Sequence, residues 1–119
     1  MSYVLYTYGT LRPGDTEVIP VRGTLYDLGW FPGIKLGGDS FVMCERVVVD
    51  DISATDQYEG YDPHYPDESL YIRREFLDGY IYEFNRDINP NKVILSGDWL
   101  DYTQEKRGRN GGRFSRSAR

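Results

Sequence analysis

The stretch Tyr3-Val4-Leu5-Tyr6-Thr7-Tyr8-Gly9-Thr10-Leu11-Arg12-Pro13-Gly14 decides how the rest of the chain is read. A β-branched and aromatic run stops at a glycine and turns through Pro13-Gly14, the pattern of a strand feeding a loop. Gly9 has no Cβ, so the backbone can turn sharply there and let a ligand approach the amides of Thr10, Leu11 and Arg12. Such a loop can cradle a small anion or oxyanion. On residue type alone the plainer reading, a first strand and its turn, is the better one.

Working outward, Val21 to Trp30 reads as a second strand, with Val21, Gly23, Leu25 and Asp27 on one face, followed by a turn at Pro32-Gly33. Phe41 to Val49 is the clearest strand, bounded by Gly37-Gly38-Asp39 and Asp50-Asp51, and is expected to be central. Asp51 to Gly60 carries helix signals: an acid at Asp51 or a serine cap at Ser53, and Gly60 as a stop. About two turns of helix follow, with Ser53 and Asp56 spaced for a loose capping box and Glu59 in the last turn. Asp62 to Ser69, with two prolines, is a polar loop positioned to act as a flap. Leu70 to Phe76 and Tyr80 to Phe84 are strands joined at Leu77-Asp78-Gly79, and Asp-Gly is a hairpin signal. A short apolar run, Val93-Ile94-Leu95, precedes Gly97-Asp98-Trp99-Leu100, and the hydrophobic pattern ends at Gln104.

The chain has 119 residues, enough for one domain with its own core. Eleven tyrosines and thirteen glycines favour strands and tight turns over a helical bundle. No apolar run approaches the ~20 residues needed to cross a bilayer, and the start lacks signal-peptide features, so the expectation is a soluble cytoplasmic protein without membrane partners. One cysteine, Cys44, and one histidine, His64, exclude an intrachain disulfide and a Cys/His zinc site. Cys44 reads as a small buried strand residue, and a Cys44–His64 nucleophile pair has no support in the spacing. Residues 1–105 hold eight basic and nineteen acidic side chains, net −11, which disfavours nucleic acid as a partner of the body. Residues 106–119, with six basic side chains, have the composition of a flexible arm and are the only part suited to nucleic acid.

Tyr8-Gly9-Thr10-Leu11-Arg12-Pro13-Gly14 resembles the signature loop of the gamma-glutamyl cyclotransferase-like superfamily. Three further pieces are similar to that superfamily and come in order: Gly23 to Gly29 with Phe31-Pro32-Gly33, the acidic segment Asp56-Gln57-Tyr58-Glu59-Gly60-Tyr61, and Tyr71-Ile72-Arg73-Arg74. Ser96-Gly97-Asp98-Trp99 matches a common closing segment. Many members place a helix after the signature loop, whereas here only Asp15 to Val21 separate it from the second strand, so this is a short, trimmed version.

The resemblance implies an α+β, mostly antiparallel fold: a small mixed β-barrel of about five to six strands with one short helix, over residues 1–105. The reaction it implies is cyclisation of a gamma-glutamyl group by its own α-amine, releasing 5-oxoproline and an amine. The substrate brings the nucleophile, so one carboxylate that moves both protons suffices and no cofactor or metal is required. Glu59 is the implied general acid/base; the negative helix end disfavours its charged form, and Tyr58 and Tyr61 limit its solvation. Gly9, Thr10 and Leu11 would supply amides to the oxyanion or substrate carboxylate, Arg12 a charge, Tyr8 a wall, and Tyr71 a hydrogen bond. For Tyr8 and Tyr71 a core role is as well supported, and Asp56 reads as structural. The alternative is a non-catalytic module of the same fold that binds a small molecule or protein.

Overall fold

The structure is a computed structural model that describes the backbone of residues 1–110 and the side chains of residues 1–105. Five strands, β1 (Tyr3–Thr7), β2 (Val18–Asp27), β3 (Pro32–Val49), β4 (Tyr71–Phe76) and β5 (Gly79–Phe84), form one sheet in the order β2-β3-β1-β5-β4. All neighbours are antiparallel except β1 and β5, which meet in parallel at Leu5 and Tyr80. Two helices complete the fold, α1 (Ile52–Glu59) and α2 (Trp99–Asn110). The architecture is therefore α+β and mostly antiparallel, curled into a half-barrel.

The curl comes from β3, which is longer than its sequence suggests. Gly37-Gly38-Asp39 is not the boundary before a strand starting at Phe41; it lies inside the strand. Arg22 pairs with Phe41 while the next residue, Gly23, pairs with Leu36, so Gly37, Gly38, Asp39 and Ser40 bulge out. Gly37 and Gly38 take φ of +94° and +83°, open to glycine without a Cβ penalty. Beyond the bulge, the first part of β3 leans over the end of β5: the Leu36 amide donates to Glu83 at 2.8 Å, and Lys35 Nζ to the Phe84 carbonyl at 2.8 Å.

The β2–β3 turn also differs from expectation, because Pro32-Gly33 belongs to β3 and β2 runs from Val18 to Asp27. The reversal falls at Leu28–Phe31, where Gly29 has φ +113° and its amide donates to Asp27 Oδ1 at 2.8 Å. That local bond offers the chain a turn before the proline is reached. The alternation of β2 is as expected: Val21, Gly23, Leu25 and Asp27 are its buried face.

Sheet and helices enclose two apolar clusters. One gathers Tyr6, Tyr8, Val21, Leu25, Ile34, Val42 and Ile81 under Ile94 and Trp99; the other gathers Leu5, Tyr71, Tyr82 and Phe84, with Tyr61 and Leu70 packed against them. Trp99 belongs to α2, the helix absent from the sequence expectation. Asp98 starts it by accepting from the Asp101 amide at 3.2 Å, but only Trp99 and Thr103 of its described side chains are buried, too few to show a helical period. The helix carries the backbone to Asn110; the expected basic arm over 106–119 otherwise lies outside the described residues. Among the described residues no helix is long and apolar enough to cross a membrane.

Candidate active site

The site is built from two segments that meet β5 from different directions. The first is the loop that leaves β1. Its turn is closed by the Arg12 amide donating to the Gly9 carbonyl at 3.0 Å, so Thr10 and Leu11 are the central residues. Gly9 is buried, while Thr10 and Leu11 are exposed. Tyr8, just before the turn, is buried and donates its hydroxyl to the Tyr82 carbonyl at 2.5 Å.

The Arg12 guanidinium is enclosed. Its Nε donates to Glu45 Oε2 at 2.8 Å and its Nη1 to Asp98 Oδ1 at 3.0 Å. Burial alone would raise the Glu45 carboxyl, but hydrogen bonds from Thr16, Arg12 and Gly14 outweigh it and hold the group at about 2. Sequence reading passed over Glu45; its only signal is one acid inside the apolar run Phe41 to Val49.

The second segment is α1. Asp51, not Ser53, caps it, accepting from the Ala54 amide at 3.1 Å, and Gly60 ends it in the left-handed region at φ +70°. The Ser53–Asp56 capping box is not used, because Asp51 already holds the N-terminus and Asp56 points inward. Of the eight helical residues only Asp56 and Glu59 are buried. Their three-residue spacing sets both on one face. A helix whose only buried side chains are two carboxylates spends them on polar partners, since an isolated buried charge is costly.

Asp56 has two such partners: the Tyr82 hydroxyl at 2.6 Å and Arg73 Nη1 at 2.5 Å. Arg73 in turn lies over the Tyr80 ring at 4.7 Å and the Tyr61 ring at 5.6 Å. Burial, the Asp56 hydrogen bond and charge, and the negative charge of Glu59 all push the Tyr82 phenol upward, so it stays a donor. Glu59 is 0% exposed, with both carboxylate oxygens closed to solvent. Of the tyrosines expected to shield it, Tyr61 is half-buried and Tyr58 is 55% exposed.

Tyr82 therefore links the two segments, holding Tyr8 by its carbonyl and Asp56 by its hydroxyl. Two clefts flank this arrangement. One, of about 640 Å³, lies between the end of α1 and the 62–69 loop and is lined by Asp56, Gln57, Gly60, Tyr61, Tyr65 and Ser69. The other, of about 440 Å³, lies between the signature loop and α2 and is lined by Arg12, Gly14, Asp98, Leu100 and Asp101. Neither wall carries Glu59 together with the Gly9–Leu11 turn. Tyr71 is fully buried and donates its hydroxyl to the Pro32 carbonyl at 2.7 Å, with its ring edge against Phe84. Cys44 is buried in β3, its thiol pushed up to about 12 by burial, and His64 is exposed on the 62–69 loop, so the two singletons form no pair.

The model of the family described as gamma-glutamyl cyclotransferase, AIG2-like, matches residues 5–101. The chain belongs to that family. The match runs from the middle of β1 to the first turn of α2 and takes in both segments of the site. An uncharacterized protein of Pyrococcus horikoshii, PH0828, has a similar crystal structure, with a TM-score of 0.61 and 17% identity, covering 91% of this chain and 98% of that one. At that identity the likeness is one of fold. None of the curated proteins matches the sequence. Membership of the gamma-glutamyl cyclotransferase family suggests an enzyme acting on gamma-glutamyl compounds.

Proposed function

We propose that the protein cyclises a gamma-glutamyl amine or peptide, with Glu59 as the general acid/base. The α-amine attacks the γ-carbonyl carbon, a C–N bond forms and the carbonyl oxygen becomes an oxyanion. Glu59 takes the proton from the attacking nitrogen and passes it to the leaving nitrogen. The original amide C–N bond then breaks, giving 5-oxoproline and a free amine. Holding the substrate bent contributes up to roughly 7–11 kcal/mol to such a step. The amides of Gly9, Thr10 and Leu11 receive the oxyanion or the substrate carboxylate, and Tyr8 backs that turn, while the Tyr71 hydroxyl, expected to donate to substrate, is given to the Pro32 carbonyl.

The observation that carries this reading is that Asp56 and Glu59 are the two buried side chains of α1. Asp56 is engaged by Tyr82 and Arg73 and serves the structure, and Glu59, in the acidic segment that resembles the family's, is the carboxylate we assign to chemistry. Because both its oxygens are closed to solvent, the surrounding chain has to give way for substrate to reach it. That closure equally favours a second reading, a binding module in which Glu59 is structural.

One experiment decides: 5-oxoproline release from a panel of gamma-glutamyl amines and peptides by the parent and by Glu59→Gln. Turnover by the parent and none by the folded variant is expected. Equal turnover by both removes Glu59 from the mechanism, and a parent inactive on the whole panel favours the binding module.

A further inference from the structure

Glu45 is a fully buried carboxylate for which the reaction above has no use, yet the signature loop is built around it. Its oxygens accept from Arg12 Nε at 2.8 Å, the Gly14 amide at 3.0 Å, the Thr16 amide at 3.1 Å and Thr16 Oγ1 at 2.7 Å. Its backbone sits opposite Thr7, the last residue of β1, and opposite Val18, the first residue of β2. The Thr7 hydroxyl also donates to its carbonyl at 3.0 Å. One residue thus grips both ends of the β1–β2 connection through the sheet, and its middle through the side chain. The Arg12 strut reaches on to Asp98, which starts α2.

We propose that Glu45 is a positioning residue that holds the Gly9–Arg12 turn, through Arg12, in the shape that presents the turn amides to the reacting group. Arg12 is then a strut and not a ligand of substrate. The inference rests on the function proposed above. Its warrant is geometric. The guanidinium is enclosed, with side-chain exposure of 4%, and its Nε and Nη1 already serve two protein carboxylates. An incoming substrate carboxylate would have to displace one of them. The loop after the turn, Pro13 to Glu17, has no helix or strand of its own, so the bonds from Glu45 are what order it. Amides that meet charge only as it develops lower the barrier without tightening ground-state binding, so misplacing them lowers kcat and spares KM.

The test uses Arg12→Lys, Glu45→Gln and Thr16→Val in the full chain. Lysine keeps the charge but cannot bridge Glu45 and Asp98 with a planar fork. Thr16→Val removes one donor at an exposed position and keeps the result readable if Glu45→Gln does not fold. Each variant is assayed for 5-oxoproline release from a gamma-glutamyl amine and from its analogue with the α-carboxylate converted to a carboxamide. Amide hydrogen exchange is measured on the same samples without substrate. For Arg12→Lys and Glu45→Gln we expect kcat to fall at least tenfold with KM within about threefold, by the same factor on both substrates. Thr16→Val should fall severalfold. Exchange from Gly9 to Thr16 should quicken at least tenfold in Arg12→Lys and Glu45→Gln while β4 and β5 stay as in the parent. A tenfold rise in KM for Arg12→Lys on the carboxylate substrate alone would overturn the proposal by making Arg12 a substrate ligand. Unchanged exchange in the loop would overturn it as well. If the parent releases no 5-oxoproline, the proposed function fails, while the exchange data still decide whether Glu45 holds the loop.

Discussion

The Tyr82 hydroxyl donates to the Asp56 carboxylate at 2.6 Å, a buried bond that fastens α1 to β5 across 26 positions of sequence. Removing the hydroxyl leaves Asp56 with Arg73 as its charged partner. Tyr82→Phe should cost about 1–3 kcal/mol, the usual range when a buried polar group loses a partner. Urea denaturation followed by circular dichroism reads this directly; a loss below half that range would mean that Arg73 alone satisfies the carboxylate.

Shortening the proposed acid/base tests placement separately from charge. Glu59→Asp keeps a carboxylate but withdraws it by one methylene, so kcat should drop by about a hundredfold, the size of effect that a misplacement of about 1 Å produces. Affinity for a gamma-glutamyl ligand, measured by calorimetry on the same folded sample, should change little. Full activity in Glu59→Asp would show that another group carries the protons.

Glu45 gives the protein a pH signature. Its carboxyl is lowered from 4.5 to about 2, so the folded state favours the ionised form. The stabilisation is complete above the unfolded value, near pH 4.5, and is lost as pH falls through about 2. A shift of this size corresponds to an upper bound of about 3 kcal/mol. Acid titration of stability should therefore show a steeper fall between these limits in the parent than in Glu45→Gln. Parallel curves would count against the bonding described for this residue.

Gly79 offers a steric test. A Cβ there would stand 2.3 Å from the Val4 carbonyl oxygen and 2.6 Å from Val4 Cβ, so β1 and β5 would be forced apart at their parallel contact. Gly79→Ala should cost about 1–3 kcal/mol or more, as overpacking does. A thermal melt within error of the parent would show that β1 can shift to accept a methyl group.

Much of the frame was readable because local chemistry and tertiary structure agree. Asp51 and Gly60 bound α1 as cap and stop, and the alternation from Val21 to Asp27 survives in the buried face of β2. The hairpin between β4 and β5 was also legible, though its central residues are Leu77 and Asp78, with Leu77 at φ +50°, and Gly79 is required by Val4 and not by the turn. The bulge in β3 was misread because two glycines and an aspartate punctuate a chain in the same way whether a strand ends or detours. Helix α2 escaped because its inward face is a tryptophan and a threonine. In the site, Asp56 reads from sequence as a helix-surface or structural hydrogen-bonding residue, and the structure buries it against Tyr82 and Arg73. Glu45 was missed because no local pattern tells that one strand carboxylate will gather donors from residues 12 to 16.

The order of the strands bears on how the chain is made. β1 emerges first yet lies third across the sheet, between β3 and a β5 that is synthesised about seventy residues later. Until β5 arrives, the nascent β1–β2–β3 unit exposes one flank of β1 as an open edge, with the backbone N–H and C=O groups that face β5 unpaired. Translation stalled before Gly79 should therefore leave a ribosome-bound fragment that recruits chaperones or pairs with its own copies, whereas release of the finished hairpin β4–β5 closes that edge in a single late step.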